Sequence, residues 1–189
     1  MNATTHAIFG VAALAGASLL VGKEPPLYAY PAAVVAAWVP DVDNPHSRLG
    51  NGLSRTKSPV LNALTRPASW ILRTTSFVLT CTVGHRTLTH SLLGVALFVT
   101  IVSSIASFSA NLFFALVAGY ASHLVADALN TRGVPLLWPV GWSFRLLPGG
   151  VRSGGVAEFV VALAAAVAAG YGIYMLHPRL IEALASITL

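Results

Sequence analysis

Charged side chains are scarce in this chain. Only 9% of its 189 residues are Asp, Glu, Lys or Arg, whereas 56% are hydrophobic. A soluble domain usually carries about 25% charged residues. This shortage excludes an ordinary water-soluble globule, and the mean hydropathy of +0.74 indicates an integral membrane protein. The length is typical of one domain, which we expect to cover residues 1–189.

Cysteine is nearly absent as well. The single Cys81 excludes an intramolecular disulfide and a cysteine-rich zinc site. The N-terminus lacks a basic region before its apolar stretch and lacks a small-residue cleavage site, which predicts a retained first helix and not a cleaved signal peptide. A metal site in this chain would therefore use imidazole and carboxylate ligands.

Long apolar runs predict an all-α, polytopic membrane helix bundle with about five transmembrane helices. The predicted spans are 6–21, 27–39, 91–108, 112–129 and 156–176. The first two are short for a bilayer, which needs about 20 residues, but short helices are tolerated where their ends meet a protein-lined pocket. Residues 67–83 carry Arg73 in their middle, so we expect an additional interfacial or re-entrant helix there.

Five alternating spans would sort the polar residues onto one side of the membrane. The N-terminus, four of the six acidic residues and five of the six histidines fall on that side. Nine of the eleven basic residues do so too: Arg48, Arg55, Lys57, Arg66, Arg73, Arg86, Arg132, Arg145 and Arg152. The positive-inside rule makes this side cytoplasmic. We therefore predict a multi-pass protein of the cytoplasmic (inner) membrane, with its N-terminus and its polar site at the cytoplasmic face.

The stretch 120–131 contains the clearest candidate site. His123 and Asp127 are four positions apart, so on a helix they share one face, one turn from each other. Ionisable groups at membrane depth are costly and usually functional. A His–Asp pair in this position can bind a metal ion, and the alternative is a hydrogen bond between packed helices.

Other polar residues of the same side complete a candidate metal site. The predicted ligands are His6, Asp41, Asp43, His90, His123, Asp127 and Glu158. Imidazole and carboxylate ligands suit one or two divalent ions, with zinc expected and manganese or iron possible. Such ions promote phosphoester hydrolysis, and a nearby carboxylate can take the proton. We therefore predict catalytic roles for Asp43, Arg86 and Glu158.

Each of these residues also has a simpler interpretation. Asp41 and Asp43 can form a turn and a helix cap, and Glu158 suits the first turn of a helix. His46 is predicted to be a loop residue, and His85 can support its neighbour Arg86. Three arginines are candidates for phosphate contacts, and positive-inside topology is the alternative for them: Arg86, Arg132 and Arg145.

Several short motifs occur in order along nearly the whole chain. They are His6, Pro40-Asp-x-Asp43, Gly84-His-Arg-x-x-Thr-His-Ser91, Gly119-Tyr-x-Ser-His-x-x-x-Asp127, Gly133-Val-Pro-Leu-Leu-Trp-Pro139 and Gly155-x-x-Glu158. Together they resemble the YdjM-like inner-membrane metal-dependent hydrolases. That family is in turn similar to zinc-dependent phospholipase C and to fungal single-strand nucleases, which implies hydrolysis of a phosphodiester.

The resulting functional prediction is a membrane-embedded, metal-dependent hydrolase of a phosphoester. A phospholipid or lipid-linked phosphate at the cytoplasmic headgroup level is the expected substrate, and membrane lipids are the expected surroundings. One alternative is a non-enzymatic metal-binding protein for transport or interaction, although the opposite side of the membrane is nearly bare of polar residues. A membrane-anchored nuclease is less favoured, and no nucleic acid is expected, because the loop 48–66 lacks interleaved aromatic residues.

Overall fold

The computed structural model describes residues 1–44, 46, 47, 49, 59–82, 84, 86–105, 109–179 and 186. In this part of the chain there are six α-helices: α1 (Ala3–Val21), α2 (Ala29–Ala36), α3 (Pro59–Thr82), α4 (Leu92–Ile105), α5 (Ala110–Ala128) and α6 (Val156–Leu176). Two short 3-10 turns, Val39–Asp43 and Leu88–His90, precede α3 and α4. The described residues form no β-strand, only two isolated bridges in the loop before α6. The all-α prediction is confirmed.

Local sequence signals explain where two of the helices begin and end. The Asn2 side chain accepts a hydrogen bond from the Thr5 N–H at 2.8 Å, which caps the start of α1. Gly22 ends this helix in the left-handed conformation, with φ of 64°. The Ser109 hydroxyl caps α5 by accepting from the Leu112 N–H at 3.3 Å. The ends of these two helices therefore follow from capping residues.

Three helices are long and apolar enough to cross a membrane: α1, α5 and α6. The predicted second and third spans correspond to shorter helices, because α2 has 8 residues and α4 has 14. At 1.5 Å per residue these two rise about 12 and 21 Å, less than the roughly 30 Å hydrocarbon core. The count of five spans is therefore not confirmed, and the described residues provide three candidate spans with two shorter apolar helices between them.

The predicted interfacial segment is a longer helix than expected. α3 begins at Pro59, eight residues before the predicted start, and contains Pro67 in its interior. Its large apolar side chains Trp70, Ile71 and Phe77 are exposed. The helix is amphipathic, which is typical of a helix that lies along a membrane surface.

Small residues allow α2 to pack closely between its neighbours. α1 contacts α2, α5 and α6, while α2 and α4 also pack on α5. A Cβ atom on Gly119 of α5 would lie 2.2 Å from the Ala33 carbonyl oxygen, and one on Gly10 of α1 would lie 2.9 Å from it. This packing against α1 and α5 brings the turn that follows α2 to the end of the bundle where the predicted site lies.

Candidate metal centre

Five of the seven predicted ligands meet at one end of the helix bundle. His6 lies in the first two turns of α1, and His123 and Asp127 lie in the last two turns of α5. Asp41 belongs to the turn after α2, and His90 ends the turn before α4. The two 3-10 turns therefore bring residues from separate chain segments to the helical His–Asp pair.

These residues form two overlapping groups, and His123 belongs to both. His6, His123 and Asp127 form one group, and Asp41, His90 and His123 form the other. Within each group the three candidate ligand atoms all lie within 4.8 Å of one another. All of these side chains are buried except Asp41, which is 21% exposed. Asp41 is therefore the side chain of the two groups that solvent reaches.

The backbone at the C-terminal end of α2 orients the ring of His123. Its Nδ1 lies 2.7 Å from the carbonyl oxygen of Ala37. A carbonyl can only accept, so Nδ1 carries the proton and Nε2 keeps its lone pair. This lone pair is directed into the cluster, 3.1 Å from the Nε2 of His90.

His90 is oriented in the same way by Thr89 and Asp43. The Thr89 hydroxyl donates its proton to Asp43 Oδ2 at 2.7 Å. The Thr89 oxygen, 3.0 Å from His90 Nδ1, must then accept from that nitrogen. In the neutral ring, His90 Nε2 is therefore unprotonated, and it faces the Nε2 of His123. Two lone pairs at this distance repel each other unless a proton or a bound cation lies between them.

His6 adds a third imidazole to the cluster. Its ring stacks on His123, with 3.8 Å between ring centroids. Both of its ring nitrogens are buried and make no hydrogen bond to any residue in the described part of the chain. The nearest carboxylate oxygen, Asp127 Oδ1, is 3.4 Å from Nε2. A buried polar group without a partner is unfavourable, and a bound cation would compensate for it.

The two carboxylates of the cluster have different surroundings. Asp127 Oδ1 accepts a hydrogen bond from the amino group of Met1 at 2.6 Å, and Oδ2 pairs with the guanidinium of Arg86. Asp41 Oδ1 lies 3.7 Å from His90 Nε2 and 3.8 Å from His123 Nε2. Burial alone would raise the pKa of Asp41, but a hydrogen bond from His90 and positive charge on His123, His6 and His90, when these rings are protonated, lower the pKa below its usual range. Asp41 is therefore a carboxylate at neutral pH.

The structure does not bring Asp43 or Glu158 into either group. Asp43 Oδ2 accepts from the backbone N–H of Arg86 at 2.9 Å and from Thr89, so Asp43 supports the turn that presents His90. Glu158 accepts from the Asn2 N–H at 2.6 Å, from Thr5 at 2.9 Å and from the Gly154 N–H at 2.6 Å. These hydrogen bonds connect the start of α1 with the start of α6. Asp43 and Glu158 therefore support the cluster from outside it.

The remaining predicted residues lie around the cluster. His46 is exposed and outside both groups, and His85 lies outside the described residues. Arg132 lines a polar cavity together with Arg86. Arg145 instead borders an apolar cavity with Leu92 and Trp142. The sequence did not indicate that Arg152 lines the same cavity as Arg86, because these residues are far apart in the chain. It also did not indicate the role of the Ala37 carbonyl, because a backbone group leaves no side-chain signal.

The five clustered residues fit a divalent ion. They provide three imidazole nitrogens and two carboxylates, which suit zinc, manganese or iron. His123 Nε2 has a single lone pair, so it can serve only one ion at a time. The two overlapping groups therefore favour one ion over two.

Comparisons with known proteins point to one family. Residues 1–187 match the family described as YdjM inner membrane protein. The chain is 37% identical over 120 residues to the Inner membrane protein YdjM of Escherichia coli (strain K12), and equally to that of Shigella flexneri. These alignments cover 61% of this chain and 52% of each relative, so the chain spans about half the length of either.

A third relative matches over a longer region. The chain is 33% identical over 181 residues to the Uncharacterized protein YvsG of Bacillus subtilis (strain 168), which covers 95% of this chain and 99% of the relative. No solved structure matches this chain.

Proposed function

This chain belongs to the YdjM family of inner membrane proteins, and from this premise and the geometry of the buried cluster we propose that it is a membrane-embedded, metal-dependent hydrolase of a phosphoester. The substrate is a phospholipid or a lipid-linked phosphate, and the site and the N-terminus face the cytoplasm. The observation that carries the proposal is the close approach of the Nε2 atoms of His90 and His123, which lie 3.1 Å apart beside a buried His6 ring whose nitrogens make no hydrogen bond in the described part of the chain.

The site residues have separate tasks in this proposal. His6, Asp41, His90, His123 and Asp127 would bind the ion, whose charge polarises a phosphoester and activates water when bound. Asp41 is partly exposed and ionised, so it binds the ion from the side where a substrate enters. Arg86 is positioned to contact a phosphate oxygen, because its Nη1 is buried without a partner in the described part of the chain.

Asp43 and Glu158 act through other residues in this proposal. Asp43 is almost fully buried and already accepts two hydrogen bonds. It positions His90 and Arg86, as outer partners of metal ligands commonly do. Glu158 holds the first turn of α1, and thereby His6, against α6.

A non-enzymatic role is the second candidate. Asp127 is already paired with Arg86 and with the Met1 amino group, and a proton between His90 and His123 would also relieve their repulsion. In that case the cluster is a structural polar network, or a metal site for transport or interaction. The opposite end of the bundle also carries polar groups, since His177 bonds to Glu24 at 2.7 Å and to Tyr30 at 3.0 Å.

Metal analysis with an activity panel separates the two candidates. The protein is purified without added chelator or metal, its metal content is measured, and hydrolysis of phospholipids and lipid-linked phosphates is followed. We expect about one bound divalent ion per chain and hydrolysis of at least one panel member. The double variant His123→Ala/Asp127→Ala should have neither. A fully metallated wild type without activity on any lipid would favour the non-enzymatic role, and a metal-free wild type would favour the structural network.

A further inference from the structure

A polar cavity lies next to the buried cluster, and Arg86 lines it. Its volume is about 340 Å³, and the residues that line it are Arg86, Asn130, Thr131, Arg132, Arg152 and Ser153. Small-molecule sites span roughly 300–1,000 Å³. Arg86 lines this cavity and also pairs with Asp127, so the cavity and the cluster share a wall.

Backbone contacts bring the two loop arginines of the cavity together. Asn130 and Val151 form an isolated bridge, and the Thr131 N–H donates to the Val151 carbonyl at 3.2 Å. Gly150 has a positive φ of 63°, and a Cβ atom on it would lie 2.5 Å from the Thr131 backbone. Only glycine fits such a close approach. The loop is therefore built so that Arg132 and Arg152 border one cavity.

The cavity carries an excess of positive charge. Arg132 and Arg152 are exposed and have no carboxylate partner in the described part of the chain. The five acidic residues described there are all engaged elsewhere: Asp41, Asp43 and Asp127 around the cluster, Glu158 with the start of α1, and Glu24 with His177. Asp127 neutralises Arg86, so the excess positive charge of the cavity comes from Arg132 and Arg152. Their guanidinium groups favour a phosphate, because each has a planar fork of donors.

Neutral donors of the cavity suit the same ligand. The Asn130 side-chain amide donates to the Ser153 hydroxyl oxygen at 2.9 Å, which leaves the Ser153 proton available for a ligand. Arg86 Nη1 is buried and unpartnered in the part of the chain that the structure describes. A phosphate oxygen would satisfy both groups.

An apolar groove is lined by the residues that follow the cavity in the chain. Ser153 lines the cavity, and the next two residues, Gly154 and Gly155, line a groove between α1 and α6. Further along, the groove is lined by apolar side chains such as Ile8, Phe159 and Leu163. A ligand with a phosphate in the cavity and a hydrocarbon chain in the groove would match both surfaces, and an anionic lipid has this composition.

We propose that the cavity of Arg86, Arg132 and Arg152 binds the phosphate group of an anionic membrane lipid, with one acyl chain in the groove between α1 and α6. Zwitterionic headgroups are disfavoured, because their ammonium groups would face the guanidinium groups. The role of this lipid as a substrate rests on the proposed hydrolase function, whereas its binding does not depend on that function.

Calorimetric titration of the purified full chain in a non-ionic detergent tests the cavity. The probes are dihexanoyl phosphatidic acid, dihexanoyl phosphatidylcholine and inorganic phosphate. We expect phosphatidic acid to bind at least about tenfold more tightly than phosphatidylcholine. The double variant Arg132→Gln/Arg152→Gln should weaken that binding by at least about tenfold, as expected for lost charge-assisted hydrogen bonds. Arg145→Gln, in the same loop but outside the cavity, is the matched control and should bind as the wild type does.

A second variant tests the groove. Ala162→Trp fills the groove. It should weaken the binding of phosphatidic acid and leave the binding of inorganic phosphate unchanged. If inorganic phosphate binds as tightly as phosphatidic acid and Ala162→Trp has no effect, the ligand is a free phosphate and the lipid assignment is overturned. Equal binding of phosphatidic acid by the wild type and the double arginine variant would overturn the cavity assignment.

Metal content, measured on the same samples, separates this inference from the proposed function. The arginine variants should retain the metal of the wild type. Arginine-dependent binding in a metal-free protein would support the cavity and contradict the hydrolase. Metal and hydrolysis without arginine-dependent lipid binding would support the hydrolase and contradict the cavity.

Discussion

At the scale of single residues, hydrogen-bond partners decide what the histidines can do. Ala37 accepts the Nδ1 proton of His123, and Thr89 accepts that of His90. Both Nε2 atoms are thereby left with lone pairs that point into one small volume. The orientation of each ring is a property of its neighbours, since metal-binding imidazoles are commonly held by a second hydrogen bond.

The first prediction concerns bound metal. His123→Ala and Asp127→Ala should each lower metal affinity at least tenfold and abolish hydrolysis, because loss of even an outer-shell partner typically costs about 10–100-fold. The measurement is metal content of the purified variants together with the lipid panel.

Two histidines provide controls for this prediction. His46→Ala removes an exposed loop histidine, and His177→Ala removes a buried one at the opposite end of the bundle. Both variants should retain the metal. Metal loss in His177→Ala as large as in His123→Ala would mean that general unfolding, and not ligand removal, explains the result.

The second prediction concerns Asp43 as a positioning residue. Asp43→Asn removes the charge that accepts from Thr89 and from the Arg86 backbone, and Arg86 adopts an unusual positive φ of 59° there. We expect metal affinity to fall by about 10–100-fold, as for other outer-shell partners, and excess metal to restore part of the activity. A general base at Asp43 predicts instead that excess metal restores metal binding but no activity.

The third prediction concerns Arg86. Its guanidinium reaches Asp127 and the polar cavity at once, whereas a lysine is a point charge and cannot present a planar fork. Arg86→Lys should retain the metal and raise the activation free energy of hydrolysis by about 2 kcal/mol, on the order of one charge-assisted hydrogen bond.

The competing explanation for Arg86 is positive-inside topology, with the side chain extending to the interface. That explanation predicts unchanged turnover for Arg86→Lys, since the positive charge is kept. Equal turnover of wild type and Arg86→Lys, each with its metal content measured, would remove Arg86 from the site.

At the scale of elements, the short helix α2 determines where Asp41 lies. It packs against Gly10 and Gly119, whose missing side chains allow close approach to the Ala33 carbonyl. The buried residues Leu14 and Ala115 belong to the same contact region. The position of the turn that carries Asp41 therefore depends on glycines in two other helices.

The fourth prediction tests this packing. Gly119→Ala should lower the stability by about 1–3 kcal/mol, because the added methyl group would overlap the α2 backbone. Metal affinity should fall with it, since Asp41 is displaced. Thermal unfolding in detergent and metal titration measure the two effects.

Gly16→Ala is the matched control for this substitution. Gly16 is an exposed residue of α1, and a Cβ atom on it would contact nothing within 4 Å. Alanine has the higher helix propensity, so stability should be unchanged or higher. Similar losses in both variants would contradict the close contact between α2 and α5.

At the scale of the whole molecule, orientation in the membrane remains a prediction. The site residues occur at the start of α1, after α2, before α4, at the end of α5 and at the start of α6. Alternating chain direction brings these points to one end of the bundle, whether the shorter helices cross the membrane or not. In the sequence, basic residues concentrate between these points, which favours the cytoplasm for that end.

The fifth prediction measures this orientation with cysteine labelling. In a Cys81→Ser background, Gly141→Cys on the loop before α6 should react with a membrane-impermeant maleimide only after cells are opened. Lys23→Cys on the turn after α1 should react in intact cells. Each introduced cysteine would be exposed. Reaction of both positions from the outside would contradict the alternation and require the topology to be rebuilt.

Hydropathy and helical spacing, read from the sequence alone, determined the membrane class, the three long helices and the His123–Asp127 pair. These properties are local, because burial in lipid and one turn of helix depend on neighbouring residues. The sequence also indicated the other members of the cluster, His6, Asp41 and His90, since alternating spans place them on one side.

Only the tertiary structure decided which polar residues lie in the cluster and which support it. Asp43 and Glu158 have the same chemistry as Asp41 and Asp127, but their oxygens accept backbone and threonine hydrogen bonds. Asp43 Oδ2 lies 3.7 Å from His90 Nδ1, the ring nitrogen that does not face His123. Arg132 lines one cavity together with Arg152 and not with Arg145, because a bridge between Asn130 and Val151 folds the loop back on itself. Contacts between distant chain segments leave no periodic signal in a sequence, so these assignments depended on the fold.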